Sequence, residues 1–292
     1  MKRGTSMEQE RVSELEKIAS HIRMGIIGSV YHAKSGHPGG SLSIVELLTY
    51  LYFAEMKIDI KNPKWADRDR FVLSKGHAAP ALYATLACKG FFSQEELKYL
   101  RHIGSMLQGH PDMKKIPGVD MSTGSLGQGI STACGMALAG KLQKKNYRSY
   151  TIIGDGESEE GQVWEAAMFA AHQSLANLCV IVDCNGLQID GPVSEVGAPE
   201  PLDKKFEAFG FHVLHIDAHD FTQIAKAVNA AKRTKNCPTA IIAKSIKGKG
   251  VSFMENQVSW HGKAPNQEQY EQAIQELNAH MEKLERKGEK HD

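Results

Sequence analysis

SYTIIGDGESEEGQVWEAAMFAAHQ, residues 149–173, contains a complete pattern of strand, turn and helix. The apolar run from Tyr150 to Ile153 ends in Gly154-Asp155-Gly156, where four acidic residues crowd positions 155–160 before an alanine-rich segment begins. A short apolar strand that turns through glycine into a helix is the unit from which parallel α/β sheets are built. The turn itself has three possible meanings: acids that favour a helix N-terminus, a nucleotide loop, or a metal site.

The same alternation of short apolar strands and helices continues to about residue 244. The predicted strands are 149–153, 178–183, 212–216 and 239–244, and the predicted helices between them are 162–175, 202–209 and 221–234. Alternating strands and helices are typical of a parallel sheet, because parallel strands need long crossover connections. We therefore predict an α/β fold in which helices flank both faces of a parallel sheet.

The residues before this repeat are predicted to be mainly helical. Apolar residues at helical spacing indicate a first helix over 7–34. Ser43-Ile-Val-Glu46 has the form of a capping box, which would open a helix that reaches about Met56. Further elements are predicted as follows: a strand from Phe71 to Leu73, a helix capped at Ser93, a helix over 130–145 and a loop from the strand 178–183 to about 200.

One domain is the simplest organisation for this pattern. We assign residues 1–34 to an N-terminal helical segment, residues 35–266 to the main domain, and residues 267–292 to a C-terminal amphipathic helix and tail. Apolar residues recur at steps of three and four between Tyr270 and Leu284, which indicates a helix with one apolar face. We expect that face to pack on its own domain or on a partner rather than on a membrane.

The composition argues against several classes of function. The chain has 292 residues, a formal net charge of +1 and 41% apolar residues, so a core is available and no basic surface for nucleic acid or an anionic membrane is indicated. Five cysteines without a C-x-x-C pair indicate reduced thiols. No apolar run has the length of a membrane span. We therefore expect a cytoplasmic protein that is neither exported nor membrane-spanning.

The glycine turn and a second polar residue have the spacing of a metal site. Asp155 follows the strand that ends at Ile153, and Asn185 follows the next strand thirty positions later. A strand, a crossover helix and a parallel strand need about thirty residues, so we expect both side chains at one edge of the sheet. Carboxylate, amide and backbone carbonyl oxygens would suit Mg²⁺ or Ca²⁺. No phosphate-loop lysine follows and G-x-G-x-x-G is not matched, while a plain acidic turn remains open as the alternative.

Histidines form a second group of candidate functional residues. The chain has 13 of them, and four stand beside a glycine at the ends of predicted elements: His37, His77, His110 and His261. Imidazole exchanges protons near neutral pH, so histidines in glycine loops indicate a site that relays protons. We interpret the following histidines as surface or structural residues: His102, His172, His212, His215 and His219.

The pattern GDG followed by an asparagine resembles the thiamine diphosphate-binding motif, and five further segments resemble the transketolase family. These segments are SGHPGG (35–40), SKGHAA (74–79), QGHPD (108–112), TGSLGQG (123–129) and WHGKAP (260–265). They occur in order over residues 10 to about 266, which makes the set far more specific than any one member. The resemblance implies a thiamine diphosphate-binding fold, Mg²⁺ with Ca²⁺ or Mn²⁺ as substitutes, and the transfer of a two-carbon ketol unit from a ketose phosphate to an aldose phosphate, as in pentose phosphate metabolism.

The resemblance also implies which residues bind the cofactor. Asp155 and Asn185 correspond to the side-chain ligands of Mg²⁺, and the carbonyl of Leu187 corresponds to the third protein ligand. The other positions that match cofactor contacts are His77, Leu126, Gly127, Gly154, Gly156, Glu160, Ile189 and His261.

Catalytic and interface positions follow from the same resemblance. The histidines that match catalytic positions facing the hydroxyls of the sugar are His37, His110 and His261. Glu160 and Glu165 align with acids that form a carboxylate network across the subunit interface in the family. Cys184 stands beside Asn185 where many members carry an acid, and we expect little effect from this difference.

The resemblance implies a partner chain as well. Family members usually join a diphosphate-binding, a pyrimidine-binding and a C-terminal domain in a chain about twice this length. The sequence therefore resembles the N-terminal subunit of a split transketolase, whose partner would carry the glutamate that protonates the aminopyrimidine ring. We expect a heterotetramer with two copies of each chain, sugar phosphate substrates, and no turnover by this chain alone.

Three other functions stay open at this point. The α subunit of a 2-oxoacid dehydrogenase shares the metal motif but is not expected to show this set of histidines. A deoxyxylulose-phosphate synthase resembles the KGKG segment (247–250) and the histidines better, although it is normally a single longer chain. A non-catalytic cofactor-binding homologue is not expected to retain all the metal and histidine positions.

Overall fold

The computed structural model describes the backbone of residues 2–288 and the side chains of residues 10–286. The α-helices are α1 (Lys2–Ala33), α2 (Pro38–Leu42), α3 (Val45–Tyr50), α4 (Ala79–Lys89), α5 (Gln128–Leu142), α6 (Gly161–His172), α7 (Val193–Val196), α8 (Leu202–Ala208), α9 (Phe221–Arg233) and α10 (Gln267–Gly288). The strands are β1 (Arg70–Leu73), β2 (Ser149–Gly154), β3 (Leu178–Cys184), β4 (His212–Asp217) and β5 (Thr239–Lys244). Shorter 3₁₀ segments lie at Gly76–Ala78, Gln94–Tyr99, Gly156–Glu159 and Val258–Trp260, and a π-helical turn lies at Leu51–Glu55.

The strands form a parallel sheet in the order β1-β2-β3-β5-β4. In this register Gly154 stands beside Asp183, and Asp183 stands beside Ala243. Because every pairing is parallel, the carboxyl ends of all these strands lie at one edge of the sheet. The predicted α/β class is confirmed, and each predicted strand boundary lies within one residue of the observed one.

Helices cover both faces of the sheet, as predicted. Successive side chains of a strand point to opposite faces, so each strand contributes to two hydrophobic clusters. In β2, Tyr150 and Ile152 pack in the cluster that includes α1, α3, α4 and α9, whereas Ile153 packs in the cluster that includes α5, α6 and α8. All three side chains are fully buried, which is why the strands read as continuous apolar runs in the sequence.

The C-terminal helix packs on the first helix of the same chain. Leu277 and Leu284 of α10 are buried, and the ring of Tyr270 stacks on Tyr31 of α1 with centroids 4.2 Å apart. The apolar face predicted for this segment therefore meets its own domain. Within residues 2–288, no helix is both long and apolar enough to cross a membrane.

The predicted capping box at Ser43 and Glu46 is wrong. No side chain caps α3. Ser43 Oγ instead donates to Asp183 Oδ2 at 2.7 Å, and Glu46 Oε1 accepts from Arg23 Nη2 at 2.5 Å. Both polar side chains are buried, so they pair with charged groups in the core rather than with a helix end. The single helix predicted from Ser43 to about Met56 is divided into α3 and the π-helical turn, and the short helix α2 precedes it.

Other local predictions are confirmed with altered detail. Ser93 Oγ accepts from the Glu95 backbone N–H at 3.3 Å, as a capping residue should, but the element that it opens is a 3₁₀ helix. The helix predicted over 130–145 is α5, which begins and ends two to three residues earlier. The segment predicted as a loop before residue 200 contains the single turn α7.

Gly129 in α5 lies so close to the end of β1 that a side chain would clash. A Cβ at this position would lie 2.5 Å from Ser74 Cα. We expect Gly129→Ala to lower the free energy of unfolding by about 1–3 kcal/mol, measured by denaturant titration. Gly135→Ala in the same helix, where nothing lies within 4 Å of the added atom, should raise it by about 0.5–1 kcal/mol. Equal effects of the two substitutions would contradict the close-packing argument.

Candidate functional site

Asp155 and Asn185 follow two neighbouring parallel strands, β2 and β3. Asp155 Oδ2 accepts from the Gly186 backbone N–H at 2.6 Å, and Oδ1 accepts from that of Gly156 at 2.8 Å. Asn185 Oδ1 accepts from the Leu187 backbone N–H at 3.1 Å. The hydrogen bond from Gly186 to Asp155 joins the two turns at the carboxyl edge of the sheet, where ligands bind in α/β folds. The structure thus brings together the residues that the sequence predicts as metal ligands.

The oxygen donors at this edge fit a divalent cation. The Asp155 carboxylate, the Asn185 amide oxygen and the Leu187 carbonyl oxygen are hard ligands, and three of them leave positions for phosphate oxygens and water. Burial, together with the Asp183 carboxylate, raises the pKa of Asp155 to about 6. A cation would stabilise the ionised form that burial disfavours. The Leu187 carbonyl oxygen accepts a hydrogen bond from Lys247 Nζ at 2.9 Å, so it already contacts a cationic group.

A buried ion pair beneath these turns has no counterpart among the sequence predictions. Asp183, near the end of β3, pairs with Lys75 Nζ at 2.6 Å, and both side chains are almost fully buried. Asp183 also accepts from Asn185 Nδ2 at 3.0 Å and from the hydroxyls of Ser43 and Ser245. Burial alone would raise the pKa of Asp183, but Lys75 and the hydrogen bonds lower it. The sequence does contain one indication of this ion pair, which is the aspartate inside the apolar strand 178–183. A buried charge needs a partner of opposite charge.

Glu157 connects three loops of the site. Its position in the sequence, within an acidic turn, does not indicate this role. The side chain is 3% exposed. It accepts from Ser74 Oγ at 2.5 Å, from the Gly127 N–H at 2.9 Å and from the Gly154 N–H at 3.0 Å. Burial raises the pKa of Glu157. One carboxylate therefore ties the ends of β1 and β2 to the start of α5.

Glycines in these turns allow a close approach to the backbone. Gly127 has a φ of 78°, and a Cβ there would lie 2.8 Å from Glu160 Cβ. At Gly156 a Cβ would lie 2.5 Å from Gln188 Oε1. A Cβ at Gly127 would collide with Glu160, and one at Gly156 would displace the Gln188 amide, so both turns pack closely on neighbouring side chains. The other predicted cofactor positions lie at the same edge: Gly154 is buried, Leu126 is half-buried and Ile189 is exposed.

His37, His77 and His261 form a compact cluster. Their ring centroids are 5.3 to 5.4 Å apart in each pairing. His37 Nδ1 is buried and has no hydrogen-bond partner within the described residues, so the cluster offers an unsatisfied polar atom to a bound molecule. His110 is exposed on a separate loop, where its ring lies against Gly124. Three of the four predicted histidines therefore meet directly.

The environment keeps these histidines uncharged. Burial, and then Lys247, lower the pKa of His261 to about 3. Burial, and then Arg101, lower the pKa of His37 to about 4. Burial, and then Lys75, lower the pKa of His77 well below 6.5. Burial, and then Arg101, lower the pKa of His110. Neutral imidazoles accept and donate protons, as a relay among hydroxyls requires.

The lowered pKa values predict a pH-dependent stability. A histidine with a depressed pKa in the folded chain contributes stability above its ordinary pKa of 6.5, and this is lost as the pH falls towards the folded value. We expect the Tm of the metal-free chain to fall between pH 6.5 and about 4, and His261→Gln to reduce this slope. Melts followed by circular dichroism measure the effect. His212→Gln, at an exposed position of β4, should keep the wild-type slope, and an identical slope in both variants would contradict the prediction.

Glu160 directly precedes α6, next to the turn at Gly127, and Glu165 lies in the second turn of that helix. Both are exposed, and on the same helix Met168 is 60% exposed and Phe169 is 41% exposed. An apolar patch beside exposed carboxylates is typical of a surface that another chain covers. The carboxylate network across a subunit interface remains a prediction for these two acids.

Comparison with known proteins agrees with this structure. The domain is a parallel α/β fold, and oxygen ligands, glycine turns and histidines lie at the carboxyl edge of its sheet. Residues 15–285 match the family described as the transketolase thiamine diphosphate-binding domain. The chain belongs to the transketolase family.

Two relatives are similar to the chain over nearly their whole length. One is the 6-deoxy-6-sulfo-D-fructose transketolase subunit SqwG of Clostridium sp. (strain MSTE9), which is 49% identical over 92% of this chain and 98% of its own length. The other is an apulose-4-phosphate transketolase subunit of Phocaeicola vulgatus, which is 42% identical over 95% of this chain and 99% of its own length.

Other relatives are longer. Human transketolase is 42% identical over 94% of this chain, which spans 44% of the human protein. The solved structure of transketolase from Leishmania mexicana superposes with a TM-score of 0.83 at 32% identity, over 94% of this chain and 45% of that one. The chain thus spans about half the length of these transketolases.

Proposed function

We propose that this chain is the N-terminal subunit of a two-chain transketolase, which uses thiamine diphosphate and Mg²⁺ to transfer a two-carbon ketol unit from a ketose phosphate to an aldose phosphate. The observation that carries the proposal is the match to relatives named as transketolase subunits over 98% and 99% of their lengths. These names favour a transketolase over the dehydrogenase and synthase alternatives. The oxygen cluster and the histidines at the sheet edge support a catalytic rather than a purely binding role.

The residues at the sheet edge would bind and orient the cofactor. We assign the metal to Asp155, Asn185 and the carbonyl of Leu187, because these hard oxygen ligands follow the ends of the adjacent strands β2 and β3. The diphosphate would lie against the turns at Gly127 and Gly156, which Glu157 and Asp155 hold at the carboxyl edge of the sheet. Thiamine diphosphate supplies the carbanion chemistry when it is bound.

The neutral histidines would handle the hydroxyl protons of the sugar. We assign His37, His110 and His261 to this task, because uncharged imidazoles accept a proton from one hydroxyl and return it to another. His77 stands within the cluster and is assigned to the cofactor. Burial, and then neighbouring cations, lower the pKa of His37 to about 4 and that of His261 to about 3, so both rings are neutral at pH 7.

A second chain would complete the active site. We propose that it supplies the pyrimidine-binding domain and the glutamate that protonates the aminopyrimidine ring, in a heterotetramer with two copies of each chain. The exposed patch at Glu165, Met168 and Phe169 is a candidate contact for it. Free cysteines throughout the described residues support a reducing, cytoplasmic location.

The substrates are expected to be sugars with an anionic end group. The two subunit relatives are named for a sulfonated fructose and for a phosphorylated apulose, so the anionic group itself varies among similar chains. The histidines described above would contact hydroxyls, which all these sugars share. We therefore assign the choice between phosphate and sulfonate to the partner chain.

Reconstitution with a partner tests the proposal. We expect the chain, purified with a transketolase C-terminal subunit, Mg²⁺ and thiamine diphosphate, to transfer two carbons from xylulose 5-phosphate or from 6-deoxy-6-sulfofructose to an aldose phosphate. Each chain alone should give no product. Product formation by this chain alone would refute the two-chain proposal, and decarboxylation or oxidation of pyruvate by the pair would refute the transketolase assignment.

A further inference from the structure

Lys247 is a buried cation that links the predicted metal site to the histidine cluster. Its Nζ donates to the Leu187 carbonyl oxygen and to His261 Nδ1, both at 2.9 Å. The residue is 1% exposed, and its stem packs so closely on Gly39 that a Cβ there would lie 3.1 Å from Lys247 Cγ. One ammonium group therefore contacts both the predicted metal site and the histidine cluster, and a shift of Lys247 would change both contacts.

The loop that carries Lys247 is irregular. Residues 245–250 follow β5, and both glycines in this stretch have positive φ, 81° at Gly248 and 92° at Gly250. Backbone hydrogen bonds join the loop to Gly39 and to Asn256. Such a loop needs further contacts to hold one conformation, because glycine adds flexibility to the backbone.

Two side chains from distant elements form hydrogen bonds with the backbone of this loop on either side of Lys247. On one side, His219 Nε2 accepts from the Ile246 backbone N–H at 2.9 Å. On the other side, Arg23 Nε donates to the Lys249 carbonyl oxygen at 3.0 Å. A Cβ at Gly250 would lie 2.8 Å from Arg23 Cδ, so the guanidinium stem also fills the space beside the loop.

Glu46 joins these two side chains to each other. Its Oε1 accepts from Arg23 Nη2 at 2.5 Å, and its Oε2 lies 3.1 Å from His219 Nδ1. Arg23 and Glu46 are both buried. The three residues come from α1, α3 and the connection between β4 and α9, and we call them the Arg23–Glu46–His219 relay.

Only one placement of protons satisfies the relay. His219 Nε2 accepts the Ile246 N–H and so carries no proton, which leaves Nδ1 to donate to Glu46. Burial alone would raise the pKa of Glu46, but Arg23 and the hydrogen bond from His219 lower it to about 2. The relay thus contains one positive and one negative charge and a neutral imidazole, so it needs no counter-charge from Lys247.

We propose that Arg23, Glu46 and His219 are positioning residues that hold Lys247 in the cofactor site. The relay fixes the backbone one residue before and two residues after Lys247, and this sets where the ammonium reaches. The relay acts through Lys247. What Lys247 does for the bound cofactor rests on the proposed function, whereas the grip on the loop is a property of the chain by itself.

Amide exchange in the purified chain, without cofactor, tests the grip on the loop. We expect His219→Ala to speed exchange at the Ile246 amide by roughly tenfold, because that N–H loses its acceptor, while amides of β2 and β3 keep their protection. His219→Gln, which offers an oxygen near the place of Nε2, should restore most of the protection. Unchanged exchange at Ile246 in His219→Ala would overturn the proposal.

Cofactor affinity tests whether the relay acts through Lys247. In calorimetric titrations with thiamine diphosphate and Mg²⁺, we expect Glu46→Gln and His219→Ala to bind the cofactor more weakly than the wild type, and Lys247→Met to bind it more weakly still. Glu46→Gln combined with Lys247→Met should be no worse than Lys247→Met alone, since a residue that acts through another adds nothing once that residue is lost. Fully additive losses would overturn the proposal.

A matched control separates positioning from general destabilisation. Asp120 forms a buried ion pair with Arg68 and accepts from the Phe71 N–H at the start of β1, the opposite end of that strand from the site. Asp120→Asn should lower the Tm but leave exchange at Ile246 and cofactor affinity unchanged. If it weakens cofactor binding as much as Glu46→Gln does, the relay has no special role.

The two readouts also separate this inference from the proposed function. If the wild-type chain and its complex with a partner bind no thiamine diphosphate, the proposed function fails while the exchange result still decides whether the relay holds the loop. If the wild type binds the cofactor but Glu46→Gln and His219→Ala bind it equally well, the positioning proposal fails alone. Should His219→Ala not fold, Glu46→Gln decides the same question, because loss of the carboxylate that orients His219 should also speed exchange at Ile246.

Discussion

Asp155→Asn should weaken the magnesium-dependent binding of thiamine diphosphate by about 100-fold or more. The substitution removes the one carboxylate among the three oxygens at the sheet edge and replaces an acceptor with an N–H donor. Loss of a group that merely supports a metal ligand costs 10-fold to 100-fold in affinity, so loss of a ligand itself should reach at least the upper end. Calorimetric titration of the cofactor in Mg²⁺ and in a chelator measures the effect.

An exposed acid in the next turn provides the control. Asp190→Asn makes the same chemical change five residues after Asn185, at a side chain that faces solvent. It should leave the affinity unchanged. If Asp155→Asn binds as the wild type does, or if both substitutions weaken binding equally, the assignment of Asp155 to the metal is wrong.

Asp183→Asn should lower the free energy of unfolding by about 3–5 kcal/mol. The substitution leaves the ammonium group of Lys75 buried without its counter-charge, and such a group costs more than the ion pair contributes. The pKa of Asp183 lies below its ordinary 3.8, so its contribution is present above that pH and is lost as the pH falls through the lower folded value. Urea unfolding at pH 7 measures the loss.

Removal of both charges separates the buried pair from a general packing defect. Asp183→Asn combined with Lys75→Met should recover part of the lost stability, because no unpaired charge remains. Glu95→Gln, which breaks an exposed pair with Lys98, should leave the urea midpoint nearly unchanged. A double variant that is less stable than Asp183→Asn would show that the ion pair itself is not the cause.

Local patterns were sufficient to predict the sheet. The apolar runs of β2 and β3 are buried on both faces, so they appear as short unbroken stretches in the sequence. The spacing between Asp155 and Asn185 equals one crossover unit, and the structure places their strands side by side. The glycines and histidines of the site could also be predicted from local patterns, because they lie in turns next to the ends of predicted strands and helices.

Pairs that are distant in the sequence could not be predicted in this way. Lys75 and Asp183 are 108 positions apart, and nothing near either residue indicates the other. Glu157 is followed by two exposed acids, Glu159 and Glu160, and only the folded structure shows that it is buried against two glycine turns. The predicted capping box failed for a related reason, because burial of Glu46 against Arg23 outweighs a local helix-end preference.

Anomalous diffraction from crystals grown with Mn²⁺ and thiamine diphosphate tests the central claim most directly. We expect one metal peak per chain, in direct contact with the Asp155 carboxylate, the Asn185 amide oxygen and the Leu187 carbonyl oxygen. Density for the diphosphate should lie against the turns at Gly127 and Gly156. A metal peak on the exposed acids of the turn instead, or cofactor density away from the carboxyl edge of the sheet, would contradict it.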